Sequence, residues 1–525
     1  EVREAAAKAL GRVGHLVKVY QWTPNAFTSD EVAAAIEALK HALVGNQEPG
    51  SKDTVAEVRK AAAKALVEFS GEDGNAAAIG ALRHALVGDE RHENKDEDAK
   101  VRKAAAKQLG YFISKGAVVA LRQALVGNEA HENKDGDWEV REAAVEALCE
   151  YIADHPSERK QAIGIGALGQ ALMGDEVGEV RKAAAEGLGG SLNGVADISH
   201  VIGALSQALV GSENHDMDKE WKVREAAAGA LGSIGQHIGA REDEDNPTNA
   251  ASAASALRAL RQALVGDGEH QNMDEVAEVR RAAAEALGFR KFENANAAAL
   301  VRIGDTEAIK ALEHAMERDK REVVRNAAAK ALLVICKQAL VGDDNQVKDK
   351  SREVREAAAK ALGRVGHLVK VYQWTPNAFT SDEVAAAIEA LKHALVGNQE
   401  PGSKDTKAEV REAAAEALGN FMERVAVVAL SQALVGGGSH DKDEMVEVRQ
   451  AAALALGNNG VVEREAATRA LTQALKWLKT GPQGLEDTNG MIRVYARMSL
   501  DMIESEAPLN QPGQPVQNTN FKDSP

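Results

Sequence analysis

The stretch "EVREAAAKAL" at residues 1–10 carries the pattern that decides the fold of the chain. Val2, Ala6 and Ala9 fall at the three- and four-residue spacing of one helix face, with Arg3 and other charged residues beside them. Alanine favours helix intrinsically and, being small, allows neighbouring helices to approach closely. The stretch therefore predicts an amphipathic helix that packs tightly against similar helices.

Relatives of this stretch recur along the whole chain. Each places an arginine after Val or Ile and then continues with small residues; the arginines are Arg3, Arg59, Arg102, Arg141, Arg181, Arg224, Arg280, Arg325, Arg355, Arg411, Arg449 and Arg493. A second landmark, "ALVG" or once "ALMG", ends at Gly45, Gly88, Gly127, Gly174, Gly211, Gly266, Gly342, Gly397 and Gly436. Repetition of this kind is the signature of a solenoid, in which stacked units share one continuous core.

Each unit contains a second helix after the first. Thr28 and Glu31 have the spacing of a capping box, which indicates a helix start, and Gly45 provides the C-terminal stop. The apolar stripe between them consists of Ile36, Leu39 and Leu43. Neither helix can bury its stripe alone, so the sequence predicts stacked helical pairs.

The repeated pattern resembles a known family. The letters V-R-x-A-A-x-A-L, followed by G-D-x-x-A-I-x-A-L-x-x-A-L, are similar to HEAT-like repeats of the kind named after phycobilisome lyases, and residues 303–332 match best. The resemblance covers about residues 1–504 and implies an all-α, right-handed α-solenoid of about eleven helix pairs. The family includes scaffolds, adaptors, bilin lyases and a few enzymes, so the resemblance implies a fold rather than one activity.

The predicted organisation is one solenoid over residues 1–504 and a disordered tail rich in Pro, Asn and Gln over residues 505–525. A 54-residue module, residues 1–54, returns letter for letter at residues 353–406. Natural duplication and deliberate construction both remain open as its origin. Around residues 329–342 the two landmarks join without turn residues, which predicts a fused or truncated pair.

Composition limits the classes of partner. There are 63 basic and 80 acidic residues, a net charge of −17, which argues against nucleic acid as the main partner. No apolar run approaches the ~20 residues that a membrane span requires. Cys149 and Cys336 are too few for a disulfide framework and are predicted to be buried free thiols. Low cysteine content and the lack of a visible signal favour the cytoplasm, although the missing initial Met suggests a fragment or processed product.

Two rows of polar residues follow the repeats. The repeated arginine is predicted to form a structural ladder between units, with an anion-binding row as the alternative. The second row, the His/Gln column, is separated by two residues from the Val of each "ALVG" or its equivalent and comprises His41, His84, Gln123, Gln170, Gln207, Gln262, His314, Gln338, His393, Gln432 and Gln473. Because His41 points away from the apolar stripe, this column is predicted to line the concave face and to bind a peptide or a partner helix.

The polar linkers between units resemble calcium loops only in part. Asn133, Asp135, Asp137 and Glu139 alternate as oxygen ligands would, but Trp138 stands where such a loop requires glycine. Solvated, charged connectors are therefore predicted, with no metal and no cofactor. The only His-Glu pairs, at residues 92–93 and 131–132, lie in these connectors rather than on helices, which argues against the di-metal hydroxylase activity known in HEAT-repeat enzymes.

The aromatic loops are the remaining candidates for partner binding. The stretch "VYQWTPNAFTSDE" at residues 19–31 returns at residues 371–383, and its aromatic residues are Tyr20, Trp22, Phe27, Tyr372, Trp374 and Phe379. Exposed aromatic side chains on a stiff loop are typical of binding hot spots, although such a loop can also cap the groove between helix pairs.

The sequence thus predicts a non-catalytic scaffold or adaptor that binds proteins through the column and the loops. Two alternatives stay open: a structural subunit that assembles into a filament or shell, and a bilin lyase or chromophore chaperone.

Overall fold

The computed structural model of the protein describes most of the chain. The described residues are 1–20, 29–45, 51–69, 72–88, 94–112, 114–127, 133–153, 158–190, 198–212, 216–239, 247–266, 273–288, 306–341, 351–372, 380–397, 403–421, 423–436, 442–459, 464–480 and 486–505. Within them there are 22 helices and no strand, which confirms the predicted all-α solenoid. By contact the chain divides into two compact units, residues 1–303 with 314–331 and residues 304–313 with 332–525.

The helices follow one another in pairs along the chain. The first thirteen are α1 Val2–Tyr20, α2 Ser29–Val44, α3 Ala56–Leu66, α4 Glu72–Val87, α5 Ala99–Leu109, α6 Lys115–Val126, α7 Trp138–Ala153, α8 Glu158–Gly174, α9 Gly178–Gly190, α10 Ser199–Val210, α11 Trp221–Gly239, α12 Pro247–Val265 and α13 Ala277–Gly288. The remaining nine are α14 Thr306–Arg318, α15 Glu322–Val341, α16 Arg352–Tyr372, α17 Ser381–Val396, α18 Ala408–Leu418, α19 Arg424–Val435, α20 Val446–Asn459, α21 Arg464–Thr480 and α22 Glu486–Ser505. A short 3₁₀ turn, Val67–Phe69, follows α3.

Each unit is a stack of two helical layers. In the first unit the odd-numbered helices α1 to α13 contact one another in succession, and the even-numbered helices α2 to α12 do the same. We call these the first-helix layer and the second-helix layer. In the other unit α16, α18, α20 and α22 form the first-helix layer, and α17, α19 and α21 form the second. The alanine- and leucine-rich core lies between the two layers, because each helix turns its apolar stripe towards its neighbours.

Small residues set the close approach within the first-helix layer. A Cβ added to Gly189 of α9 would lie 2.7 Å from Cα of Ala230 in α11, and one added to Gly363 of α16 would lie 2.9 Å from Cα of Ala417 in α18. Both contacts join the position eight residues after the repeated arginine to the position six residues after the arginine of the next repeat. The recurring glycine therefore brings adjacent backbones together, and a methyl group would push them apart.

Two local predictions are confirmed. Residues 329–342 lie largely within α15, a single 20-residue helix, so the two landmarks are fused there. The capping box is present in the second copy of the module, where the Thr380 hydroxyl accepts from the Glu383 backbone N–H and the Glu383 carboxylate accepts from the Thr380 N–H. The matching Thr28 lies outside the described residues.

The two copies of the identical module differ in burial. Val2 is 84% exposed, whereas the equivalent Val354 is 2% exposed. Ala6 and Ala9 are likewise exposed in the first copy, but their counterparts Ala358 and Ala361 are buried. The apolar stripe of EVREAAAKAL is therefore core in the second copy and surface in the first.

Candidate functional sites: an arginine–aspartate ladder and the second-helix face

The repeated arginines join successive repeats through aspartates. Arg141 donates from Nε to Oδ2 of Asp175 at 2.7 Å and from Nη2 to Oδ1 at 2.8 Å, and its Nη1 donates to the backbone carbonyl of Asp135 at 2.8 Å. The guanidinium thus holds the carboxylate of the following linker with one edge and its own linker with the other. This fork-to-fork geometry is the one that only arginine provides.

The same bidentate pair recurs along both units. The pairs are Arg59–Asp96, Arg102–Asp135, Arg141–Asp175, Arg181–Asp218, Arg224–Asp274, Arg280–Asp319, Arg355–Asp405 and Arg411–Asp443. Most of these side chains are buried, so the carboxylate supplies the compensation that a guanidinium needs when it leaves water. The hydrogen bond to Asp96 raises the pKa of Arg59.

Each ladder aspartate is fixed by its own backbone. The Asp135 N–H donates to the Ala124 carbonyl at 2.8 Å, and its Oδ1 accepts from the Asp137 N–H at 3.0 Å. Asp96 makes the equivalent bonds to Ala85 and from Asp98. The linker thereby ends the second helix, starts the next first helix and presents its carboxylate in one defined position.

This geometry corrects the prediction of solvated connectors. Asp96, Asp135, Asp175, Asp274, Asp405 and Asp443 are buried. Asp135, whose spacing resembles that of a calcium ligand, instead binds Arg102. The sequence analysis did not identify these aspartates. A signal was present, however, since an aspartate stands six residues before almost every repeated arginine.

The ladder changes character at particular positions. Arg3 reaches Asp53 through one contact of 3.2 Å and is largely exposed, and half-buried Arg325 donates to the Asp319 carbonyl. Arg449 is 6% exposed and donates from Nη1 to the carbonyls of Asp443 and Glu444, but its Nε has no hydrogen-bond partner among the described residues. Burial lowers the pKa of Arg449, the reverse of the shift in Arg411. Arg493 is exposed on α22.

Lysines and glutamates flank the ladder at the surface. Lys134 contacts both Asp175 and Glu176, and Lys52 contacts Asp96 and Glu97. The hydrogen bond from Lys134 lowers the pKa of Glu176, and that from Lys52 lowers the pKa of Glu97. These exposed pairs add little stability individually.

Nine of the eleven residues of the His/Gln column lie in the second-helix layer, and His314 and Gln338 lie on α14 and α15. His41 and Gln170 are exposed, as is Gln473, whereas His84, Gln123, Gln207, Gln262, His314, Gln338, His393 and Gln432 are half-buried. Within each layer the helices that carry neighbouring members of the column contact one another. Nε2 of Gln123 and Oε1 of Gln432 are buried atoms without a hydrogen-bond partner in the described part of the chain.

Glycines open the ridge beside this column. Gly80, Gly166 and Gly203 lie four residues before His84, Gln170 and Gln207, and a Cβ added to any of the three would meet nothing within 4 Å. At the equivalent position, four residues before Gln123, Val119 is exposed. Packing within the chain therefore does not require these glycines, unlike those of the first-helix layer.

Family comparison agrees with this repeated geometry. The model of the PBS lyase HEAT-like repeat matches residues 2–45, 354–397 and 410–436, and that of the HEAT repeat matches residues 214–238. The chain is a HEAT-like repeat protein. No curated protein matches its sequence.

Solved structures to which the chain is similar include two of Kap121p and one of importin beta. Kap121p bound to Pho4p is 13% identical with a TM-score of 0.44, covering 95% of this HEAT-like chain and 48% of Kap121p. Kap121p bound to Nup53p is 12% identical with a TM-score of 0.42, covering 95% and 49%. A crystal structure of importin beta is 16% identical with a TM-score of 0.34, covering 96% and 66%. The HEAT-like chain thus spans about half the length of Kap121p.

The remaining candidate residues of this HEAT-like protein are those of the aromatic loops and the histidines of the polar linkers. The aromatic side chains of Tyr20, Trp22, Phe27, Tyr372, Trp374 and Phe379 lie outside the residues whose side chains the structure describes, as do His92, His131, His215 and His440. Among the described side chains there is no group of three or more His, Cys, Asp or Glu suited to a metal ion. A search of the same residues finds no helix that could span a membrane.

Neither cysteine forms a disulfide, but the two differ in environment. Cys336 is buried in α15, where burial and the nearby Glu313 raise the pKa of its thiol. Cys149 is half-buried, so the prediction of burial is wrong for this residue.

Proposed function

We propose that this HEAT-like protein is a non-catalytic scaffold that binds a protein partner on its second-helix face. The observation that carries the proposal is the combination of the aligned His/Gln column with an open ridge beside it. The ladder arginines, by contrast, donate hydrogen bonds to groups within the chain, and we assign them a structural role.

Two glutamines of the column carry amide atoms that the described residues do not bond. An amide presents both a donor and an acceptor, and Gln123 and Gln432 each carry a buried amide atom without a partner in the described residues. Leaving such an atom unsatisfied costs roughly 1–3 kcal/mol. The column therefore suits a peptide or helix laid across successive repeats.

The aromatic loops are proposed as a second contact surface. Tyr20, Trp22 and Phe27, with their copies in the second module, concentrate aromatic side chains in a chain that is otherwise 3% Phe, Trp and Tyr. Aromatic residues are enriched among binding hot spots because they bury large areas at little entropic cost.

Affinity capture with matched variants tests the proposal. The column variant changes Gln123, Gln170 and Gln207 to Ala, the loop variant changes Trp22 and Trp374 to Ala, and a control changes the exposed ion pair Lys107–Glu146 of the first-helix layer to Ala. We expect wild type and the control to capture a partner that the column variant does not capture. The purified partner should likewise bind wild type and the control but not the column variant.

Two results would contradict the proposal. Capture that is identical for all four proteins would remove both surfaces as binding sites. Sedimentation that shows concentration-dependent polymers, abolished by the loop variant, would favour a self-assembling structural subunit instead.

A further inference from the structure

The second-helix layer of the first unit carries an unusual balance of charge. Residues 76–87, 115–126, 161–174, 199–210 and 251–265 of α4, α6, α8, α10 and α12 contain no Asp or Glu. The cations in the same ranges are Arg83, Lys115, Arg122, Arg258 and Arg261. Because the whole chain has a net charge of −17, this face is a basic island on an acidic protein.

Four of these five cations are available to a ligand. Arg83, Lys115 and Arg258 are exposed and Arg122 is half-buried, and none of the four has an ion pair or hydrogen bond made by its side chain within the described residues. Lysines of the first-helix layer behave differently, since Lys103 binds Glu139 at 2.8 Å and Lys107 binds Glu146 at 2.6 Å. These two lysines are neutralised within the chain, whereas the four cations have no such partner among the described residues.

One second helix of the other unit shares this balance and another does not. Helix α19 contains no Asp or Glu, whereas α17 carries Asp382, Glu383 and Glu389, and there Lys392 binds Glu389 at 2.9 Å. The lack of acidic residues on α4 to α12 therefore does not follow from the repeat pattern itself.

The shape of the face suits a polypeptide. Glycine within a helix costs about 0.5–1 kcal/mol relative to alanine, yet Gly80, Gly166 and Gly203 face open space. They leave a shallow apolar floor on which a partner's backbone can lie close to the helices.

We infer that the second-helix face of α4 to α12 binds an acidic, carboxylate-rich segment of a partner protein. The inference rests on the proposed scaffold function and names the chemistry of its partner. Carboxylates pair with the free guanidinium groups, while the floor accepts the main chain and small side chains. A few cations on three of the five helices match a segment of moderate charge better than a nucleic acid, which carries a charge on every phosphate.

The test measures binding of three labelled probes to the full chain by fluorescence anisotropy: a peptide of alternating Glu and Ala, the same peptide with Gln for Glu, and single-stranded DNA. We expect the Glu peptide to bind most tightly, and increasing salt to weaken its binding. Changing Arg83, Arg122 and Arg258 to Gln should raise its Kd roughly 3- to 150-fold, given roughly 0.2–1 kcal/mol for each of the three charges. The matched control, Lys103→Gln with Lys107→Gln, should leave Kd unchanged.

A second variant separates shape from charge. Gly166→Leu fills the open ridge without altering any charge, so it should weaken peptide binding while a thermal midpoint no lower than that of wild type shows that the fold is intact. Tighter binding of DNA than of the Glu peptide, or equal Kd values for the Glu and Gln peptides, would overturn the inference. If either of these results were obtained while the column variant still lost its captured partner, the scaffold function would stand and only the acidic-segment inference would fail. The two proposals can therefore fail separately.

Discussion

At the residue scale, the pairing of each repeated arginine with one aspartate dominates the buried polar chemistry. Arg411 holds Asp443 with two hydrogen bonds of 2.7 and 3.0 Å and the Asp405 carbonyl with a third. Arg449 occupies the same position one repeat later without a carboxylate for its Nε among the described residues. The two residues therefore form a natural comparison between a compensated and an uncompensated buried guanidinium.

Replacing these arginines by Met should have unequal effects. Arg411→Met leaves the buried Asp443 carboxylate without its partner, which typically costs about 3–5 kcal/mol. Arg449→Met removes a poorly compensated charge and should cost less than half as much. Urea denaturation followed by circular dichroism measures both midpoints, and equal losses would contradict this account of the ladder.

Lowering the pH should weaken the lysine–glutamate pairs that flank the ladder, such as Lys134–Glu176. Because the hydrogen bond from Lys134 lowers the pKa of Glu176 below its ordinary value of 4.5, its contribution is complete above that value and is lost as pH falls through the lowered pKa. Glu176→Gln should therefore flatten the decline of the urea midpoint at acid pH. The slope should change only slightly because Glu176 is mostly exposed. An unchanged profile would show that the pair does not form.

At the element scale, glycine has opposite roles in the two layers. Gly189 of α9 lies against Ala230 of α11, whereas Gly166 of α8 faces open space. One glycine is required by helix packing, and the other leaves room on a surface. Position within the helical pair, rather than residue type, decides which role applies.

The two glycines should respond in opposite directions to alanine. Gly166→Ala should stabilise the protein by about 0.5–1 kcal/mol through helix propensity. Gly189→Ala should destabilise it by roughly 1–3 kcal/mol, because the new methyl group meets backbone rather than a flexible side chain. Thermal denaturation of both variants beside wild type measures the difference. Stabilisation by Gly189→Ala would mean that α9 and α11 lie further apart.

At the scale of the whole molecule, identical sequence has different physical value in different places. Arg3 is mostly exposed and makes one contact with Asp53, whereas its copy Arg355 is buried and makes two with Asp405. The module is the same, but the neighbours that cover it are not.

This difference can be measured with one substitution made twice. Val354→Ala removes buried methyl groups and should cost about 2 kcal/mol, whereas Val2→Ala should change the free energy of unfolding by less than about 0.5 kcal/mol. Matching losses from the two variants, measured by urea denaturation, would mean that Val2 is also covered in solution.

Much of the architecture could be predicted from local pattern. The helical pairs, the fused helix α15 and the capping box at Thr380 each follow from residues within a few positions of one another. Only the arginines of the ladder were predicted from the sequence. They are recognisable because they follow valine, whereas the aspartates are dispersed among many other acidic residues in the linkers. Recognising Asp135 as the partner of Arg102 requires knowing which linker meets which helix.

The sequence by itself determined the repeat, because helix periodicity, caps and breakers act over a turn or two of chain. Only the tertiary structure decided which charges are neutralised, since this depends on what the stacking of repeats brings together. It pairs Lys103 with Glu139, leaves Arg83 and Arg122 facing outward, and buries Val354 but not Val2. Burial and charge compensation arise from neighbours distant in sequence, and no local pattern contains them.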